Sequence, residues 1–175
     1  KLREFCQLEC NFKDNQLINK KTGRQIKAII VVHVFGNMAD MDYIMEIAQM
    51  YNLKVIEDAT EALGTYYTSG KYKNRFAGTI GDIGVYSFNG NKIITTGGGG
   101  MIVSNNKEYL NQCRYLSTQA KDDTLYFVHN EIGYNYRMTN LQAALGLAQL
   151  EQLESFISIK HNNYMEYEKL GIPLL

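Results

Sequence analysis

The chain has 175 residues, 45% of them hydrophobic, with 15 Gly and one Pro, the composition of a folded domain rather than of a linker or tail. Its 18 basic and 18 acidic residues cancel, which excludes the one-sided electrostatic footprint of a protein built for nucleic acid or an anionic membrane surface. The longest apolar run, Ala28 to Val32 continuing past His33 to Phe35, falls far short of the roughly 20 residues of a bilayer span.

In chain order, the opening KLREFC reads as the tail of a helix. Lys27–Val34, KAIIVVHV, is a near-continuous β-branched run that predicts a strand buried on both faces of a parallel sheet. Asp40 then opens a helix whose apolar face is Met41, Ile44, Met45, Ile47 and Ala48. Leu53–Glu57 returns as a strand, completing a strand–helix–strand unit and defining an α/β class. Asp82–Phe88 and Gly99–Ser104 read as two more strands. Asn105 is the expected cap of a helix running to Leu116, with Glu108 three residues on. Thr139 and Gln142 have capping-box spacing and open a helical region that runs to about Lys169, with Leu141, Leu145, Ala148 and Leu153 as its core face. The abrupt start and the ending GIPLL suggest a piece of a longer protein.

Three cysteines, Cys6, Cys10 and Cys113, are odd in number and lack metal-site spacing, so they read as reduced thiols of a cytoplasmic protein, and no metal is expected. His33, inside an apolar strand, reads as a hydrogen-bonded core residue.

The stretch SFNGNKIITTGGGG, residues 87–100, sets the chemical question. A phosphate-binding loop needs its glycines before the lysine and a Ser or Thr after it, whereas here Ile93 follows Lys92 and the glycines come later. The other use of a lysine in such a place is as an amine that forms a Schiff base with a carbonyl cofactor, with neighbouring hydroxyl and amide groups holding a phosphate. Pyridoxal phosphate fits, and it requires an acid against its ring nitrogen. In open parallel sheets ligands bind outside the carboxyl ends of strands, where Asp58 falls. A second reading of Asp58 stays open: it caps a short helix, with Glu61 as its capping-box partner.

Three blocks, VIEDATEALGTYY, GDIGVYSFNGNKIITTGGGGMIVSNN and EIGYNYRMTNLQAALGLAQLEQL, together resemble the DegT/DnrJ/EryC1/StrS family of sugar aminotransferases over nearly the whole chain. The resemblance implies part of the large domain of the aspartate-aminotransferase (type I) fold, a mostly parallel sheet flanked by helices. Residues 1–155 would form that partial domain, and residues 156–175 would lead toward a smaller C-terminal one. It implies Lys92 as the cofactor-bearing lysine and catalytic base, and Asp58 as the partner of the ring nitrogen. Ser87 matches a phosphate-contacting serine, Asn89 stands where many relatives carry His, and Glu61 stands where many carry Gln beside the cofactor's phenolic oxygen. Asn135 matches an asparagine that reaches a partner subunit's cofactor phosphate, which implies a homodimer with shared sites. The implied reaction moves an amino group, by analogy from glutamate, to a nucleotide-linked 4-keto-6-deoxy sugar for surface glycans. The wording is closest to members of the bacillosamine, legionaminic acid and perosamine type. The alternative is an inactive fragment of such an enzyme that acts only as a folding or interaction unit.

Overall fold

The computed structural model describes residues 1–123 and 125–174. Helix α1 (Leu2–Glu4) runs into a π-helical turn, Phe5–Glu9. Residues that carried no sequence expectation then form a small antiparallel sheet of β1 (Cys10–Lys13), β2 (Gln16–Asn19) and β3 (Gln25–Ile26). The first hairpin turns on Asp14 and Asn15, both with positive φ (50° and 61°), as a two-residue turn matched to strand twist requires. Its Leu17 is buried with Cys6 and Cys10 in the main core. Burial pushes both thiols up, and for Cys10 the Glu9 charge adds to that; these are packing residues rather than reactive ones.

The main sheet has the order β4 (Ala28–Val32), β5 (Lys54–Asp58), β6 (Ile83–Ser87), β7 (Gly100–Val103). The first three strands are parallel and β7 is antiparallel to β6. Helix α2 (Met41–Met50) crosses between β4 and β5, capped by Asp40, whose side chain accepts from the Tyr43 amide at 3.1 Å. Its Met41, Ile47 and Ala48 pack with Val31, Leu53 and Val55. A Leu- or Met-sized side chain buried there stabilises by about 1.5–3 kcal/mol.

β4 corrects one expectation. Only Val31 is buried, while Ile30 and Val32 are 67% and 48% exposed. The strand borders the sheet and packs one face on α2, so its β-branched run serves propensity on one face and burial only on the other.

After β7 come α3 (Lys107–Ser117), the short pair β8 (Lys121–Asp123) and β9 (Val128–His129), then α4 (Asn140–Leu150) and α5 (Leu153–Lys169). The α3 cap is Asn106, one residue beyond the expected Asn105. The Asn106 side chain accepts from the Glu108 amide at 2.8 Å, because the Ser104 hydroxyl anchors the Asn106 amide and shifts the helix start by one residue. At α4 the Thr139–Gln142 capping box forms as expected. The expected helical region divides into two helices at residues 151–152, and its expected core face is not buried: Leu141 is 85% exposed and Leu145 49%. Apolar side chains ring α4, so the one face it lays on the Lys92 loop cannot take them all. Among the described residues no helix is long and apolar enough to cross a membrane.

Candidate active site

A cleft of about 580 Å³ opens at the carboxyl ends of β4–β6, within the range of roughly 300–1,000 Å³ usual for small-molecule sites. Its walls include Gly36, Glu61, Ser87, Lys92, Ile157 and His161. A second concavity, of about 670 Å³ beside Asp82 and Asn106, holds none of the expected site residues.

Ser87 is the last residue of β6, and its hydroxyl accepts from the Asn89 amide at 3.3 Å. The chain then turns so that the Lys92 amide donates to the Asn89 carbonyl and the Thr96 amide returns to the Phe88 carbonyl. Ile94 and Thr96 point inward and are buried, which leaves Lys92 facing the cleft with a side chain 16% exposed. Helix α4 braces this loop from outside. The Gln149 carboxamide accepts from the Thr95 amide at 3.0 Å and donates to the Thr95 carbonyl at 2.6 Å. The glycine run is a turn into β7: Gly97 and Gly99 have φ of 75° and 87°, and a Cβ on Gly99 would stand 2.8 Å from Met138 Cγ. Close approach to protein, not to the cleft, demands glycine at position 99.

Glu61 lies across from Lys92. Its Oε1 is 3.9 Å from Lys92 Nζ, and its Oε2 accepts from the Phe35 amide at 2.8 Å. Phe35 sits in the 3-10 turn Val34–Gly36 with φ of 54°, left-handed backbone that costs energy for a residue with a side chain. Gly36 follows with φ of 81°, and a Cβ there would come within 3.1 Å of the Glu61 carbonyl.

This turn is held from below by a buried pair. His33 and Glu57 are both fully buried, with Nε2 of His33 3.0 Å from Oε2 of Glu57. The Ala39 amide donates to His33 Nδ1 at 3.2 Å, so Nε2 carries the hydrogen and donates to Glu57. The Glu57 carboxylate also accepts from the amides of Gly78 (2.9 Å), Ile80 (2.6 Å) and Gly81. Burial pushes this carboxyl up more than any other single effect, yet the His33 bond and the Gly81, Gly78 and Ile80 amides together hold it below its ordinary value. His33 is thus the hydrogen-bonded core residue that its place in the sequence suggested.

Of the expected site residues, the fold brings Lys92, Ser87 and Glu61 onto one cleft. Asp58 is at the end of β5, beside Val32 and Val85, but does not line the cleft; its Oδ1 accepts from the Thr60 amide at 3.1 Å. Residues 59–64 form turns, not the short helix of the capping reading, and Glu61 bonds to Phe35 rather than back to Asp58. Asn89 shapes the turn before Lys92, and Asn135 is exposed on a β-bridge to Thr118; neither lines the cleft. Sequence reasoning missed Glu57 and the α5 residues Ile157, Lys160, His161 and Tyr164. Glu57 had a signal, an acid in step with buried Val55 on the inward face of β5. The α5 residues had none, because they reach the cleft from about 65 positions away. Gly64 admits them: with φ of 88°, its Cβ position lies 2.6 Å from Ile157 Cδ1.

The donor set suits a phosphate-bearing aldehyde cofactor: an amine inside a cleft, a hydroxyl on the same wall, and a strand-end carboxylate next to it. A mostly parallel sheet with a lysine and serine presented at its strand ends is the large-domain architecture of a type I-fold, pyridoxal-phosphate-dependent transferase. The chain belongs to the DegT/DnrJ/EryC1/StrS aminotransferase family, whose model matches residues 11–170. Pyridoxal 5'-phosphate is the cofactor of that family. The chain is 47% identical to a GDP-perosamine synthase of Escherichia coli O157:H7 over 87% of its own length and 40% of the relative's. It is 35% identical to a UDP-4-amino-4,6-dideoxy-N-acetyl-beta-L-altrosamine transaminase of Campylobacter jejuni, over 85% of its length and 39% of the relative's. Among solved structures, a DegT DnrJ EryC1 StrS aminotransferase from Brucella abortus superposes with a TM-score of 0.69 at 33% identity, covering 78% of this chain and 35% of that one. The chain thus spans about 40% of the length of the curated relatives it matches.

Proposed function

We propose that these residues carry the cofactor-attachment half of an aminotransferase that moves an amino group, from glutamate, onto a nucleotide-linked 4-keto-6-deoxy sugar for surface glycan synthesis. The observation that carries this is Lys92, sheltered in a strand-end cleft beside Ser87 in a chain of this family. Relatives named for GDP-perosamine and for a UDP-linked amino sugar support the substrate class.

Pyridoxal phosphate supplies an aldehyde for amines to join and a ring that takes up electrons released at carbon. Lys92 is the residue to hold it and then, its amine freed, to accept a proton from the donor's α-carbon and return it. Ser87 would donate its hydroxyl to the phosphate, with Asn89 shaping that edge, and Asp58, at the end of β5, would supply the carboxylate for the ring nitrogen. Ile157 packs over Gly64 at one wall of the cleft. Asn135 completes the partner subunit's site in a cytoplasmic homodimer, and residues 1–155 form the large-domain portion with residues 156–175 leading out of it.

The test is chemical. Borohydride reduction of the full-length protein loaded with pyridoxal phosphate should fix the cofactor to Lys92, and peptide mapping of the adduct to another lysine would overturn the reading.

A further inference from the structure

Glu61, expected beside the cofactor's phenolic oxygen, has a partner for each oxygen of its carboxylate before any cofactor arrives. Its Oε2 is fixed by the Phe35 amide at 2.8 Å, and its Oε1 faces Lys92 Nζ at 3.9 Å. The clamp on the first oxygen is costly to build. It needs Phe35 in left-handed backbone, Gly36 pressed against the Glu61 carbonyl, and the turn anchored at His33, whose ring is fixed by Glu57 and the Ala39 amide. A carboxylate that served only to cap one exposed amide would not require its second oxygen to face the amine.

We propose that Glu61 is the counter-ion that parks the free Lys92 ammonium in the cleft, so that capture of the aldehyde cofactor must first break this pair. This rests on the reading of Lys92 as the cofactor-bearing residue. In the capture step the ammonium gives one proton to solvent. Its nitrogen then forms a C=N bond to the aldehyde carbon, and two further N–H protons leave with the aldehyde oxygen as water. Glu61 loses its partner when that bond forms. The pair is partly exposed, with side-chain exposures of 16% for Lys92 and 38% for Glu61, so its effect is modest and sensitive to salt.

The experiment uses full-length protein stripped of cofactor, with pyridoxal as the probe because it lacks the phosphate whose charge would itself respond to salt. Capture is followed by the visible absorption band and located by borohydride reduction and peptide mapping. Glu61→Gln keeps an oxygen for the Phe35 amide and removes only the charge. The expected result is capture at Lys92 about two- to five-fold faster in Glu61→Gln, the scale of a partly exposed ion pair. Wild-type capture should also quicken with added sodium chloride, a measurement that needs no variant, and the rate of Glu61→Gln should not respond to the salt. Equal rates and equal salt responses, with the adduct on Lys92 in both proteins, overturn the counter-ion role and leave the cofactor reading intact. An adduct on Lys92 in neither protein overturns both.

Discussion

His33 Nε2 meets Glu57 Oε2 at 3.0 Å with neither side chain reaching solvent, and through this contact the end of β4 and the turn at Gly78–Gly81 are tied to the same carboxylate. Four donors converge on Glu57, so Glu57→Gln, whose NH2 group cannot accept, leaves buried donors unsatisfied at about 1–3 kcal/mol each. The urea midpoint should fall by an amount worth at least about 2 kcal/mol with m unchanged. The sign with pH follows from the carboxyl's lowered folded-state value. Its contribution is complete above the unfolded carboxylate value of about 4.3 and is lost as pH falls through the lower folded one. Wild type should therefore lose more stability than the variant on acidification across that window. Parallel curves would show that Glu57 is not charged in the folded chain.

The helix start at α3 separates local pattern from structure. Asn106→Ala should destabilise by about 1 kcal/mol, and Asn105→Ala by much less, because only the Asn106 side chain accepts the first-turn amides. Thermal melts of the two variants decide it; the reverse order would restore Asn105 as the cap.

Asp58→Asn isolates charge from local structure. Asparagine keeps the oxygen that accepts from the Thr60 amide, so the turn after β5 should survive. In the full-length enzyme the variant should still bind cofactor but lose turnover on the order of 10²-fold or more, as the removal of one preorganised electrostatic partner commonly costs. Near-wild-type turnover would reduce Asp58 to a turn residue.

Asn135 offers a test of shared sites. Asn135 bridges Thr118 through its backbone and is exposed. Subunit exchange between full-length Lys92→Ala and Asn135→Ala proteins gives hybrids. If Asn135 acts across the interface, each hybrid has one site with both defects and one with neither, and activity should partly return. Activity that stays at the average of the parents places Asn135 in its own subunit's site.

Much of the frame was legible in residues 27–58. β-branched runs, the Asp40 cap and an apolar stripe of period 3.6 are local signals, and each depends on a few neighbouring side chains. The Thr139–Gln142 box was equally local and formed as read. So was the chemical oddity of a lysine between a strand and four glycines, a pattern that points to a carbonyl cofactor. Only tertiary structure decided which face of β4 is covered, that Glu57 is a buried hub, and that Glu61 turns to Phe35 and Lys92. It also brought α5 over Gly64. The physical reason is common to all four. Each outcome depends on atoms from separate segments of the chain, whose approach is set by sheet order and by how much apolar surface each layer can cover, and no local period encodes that.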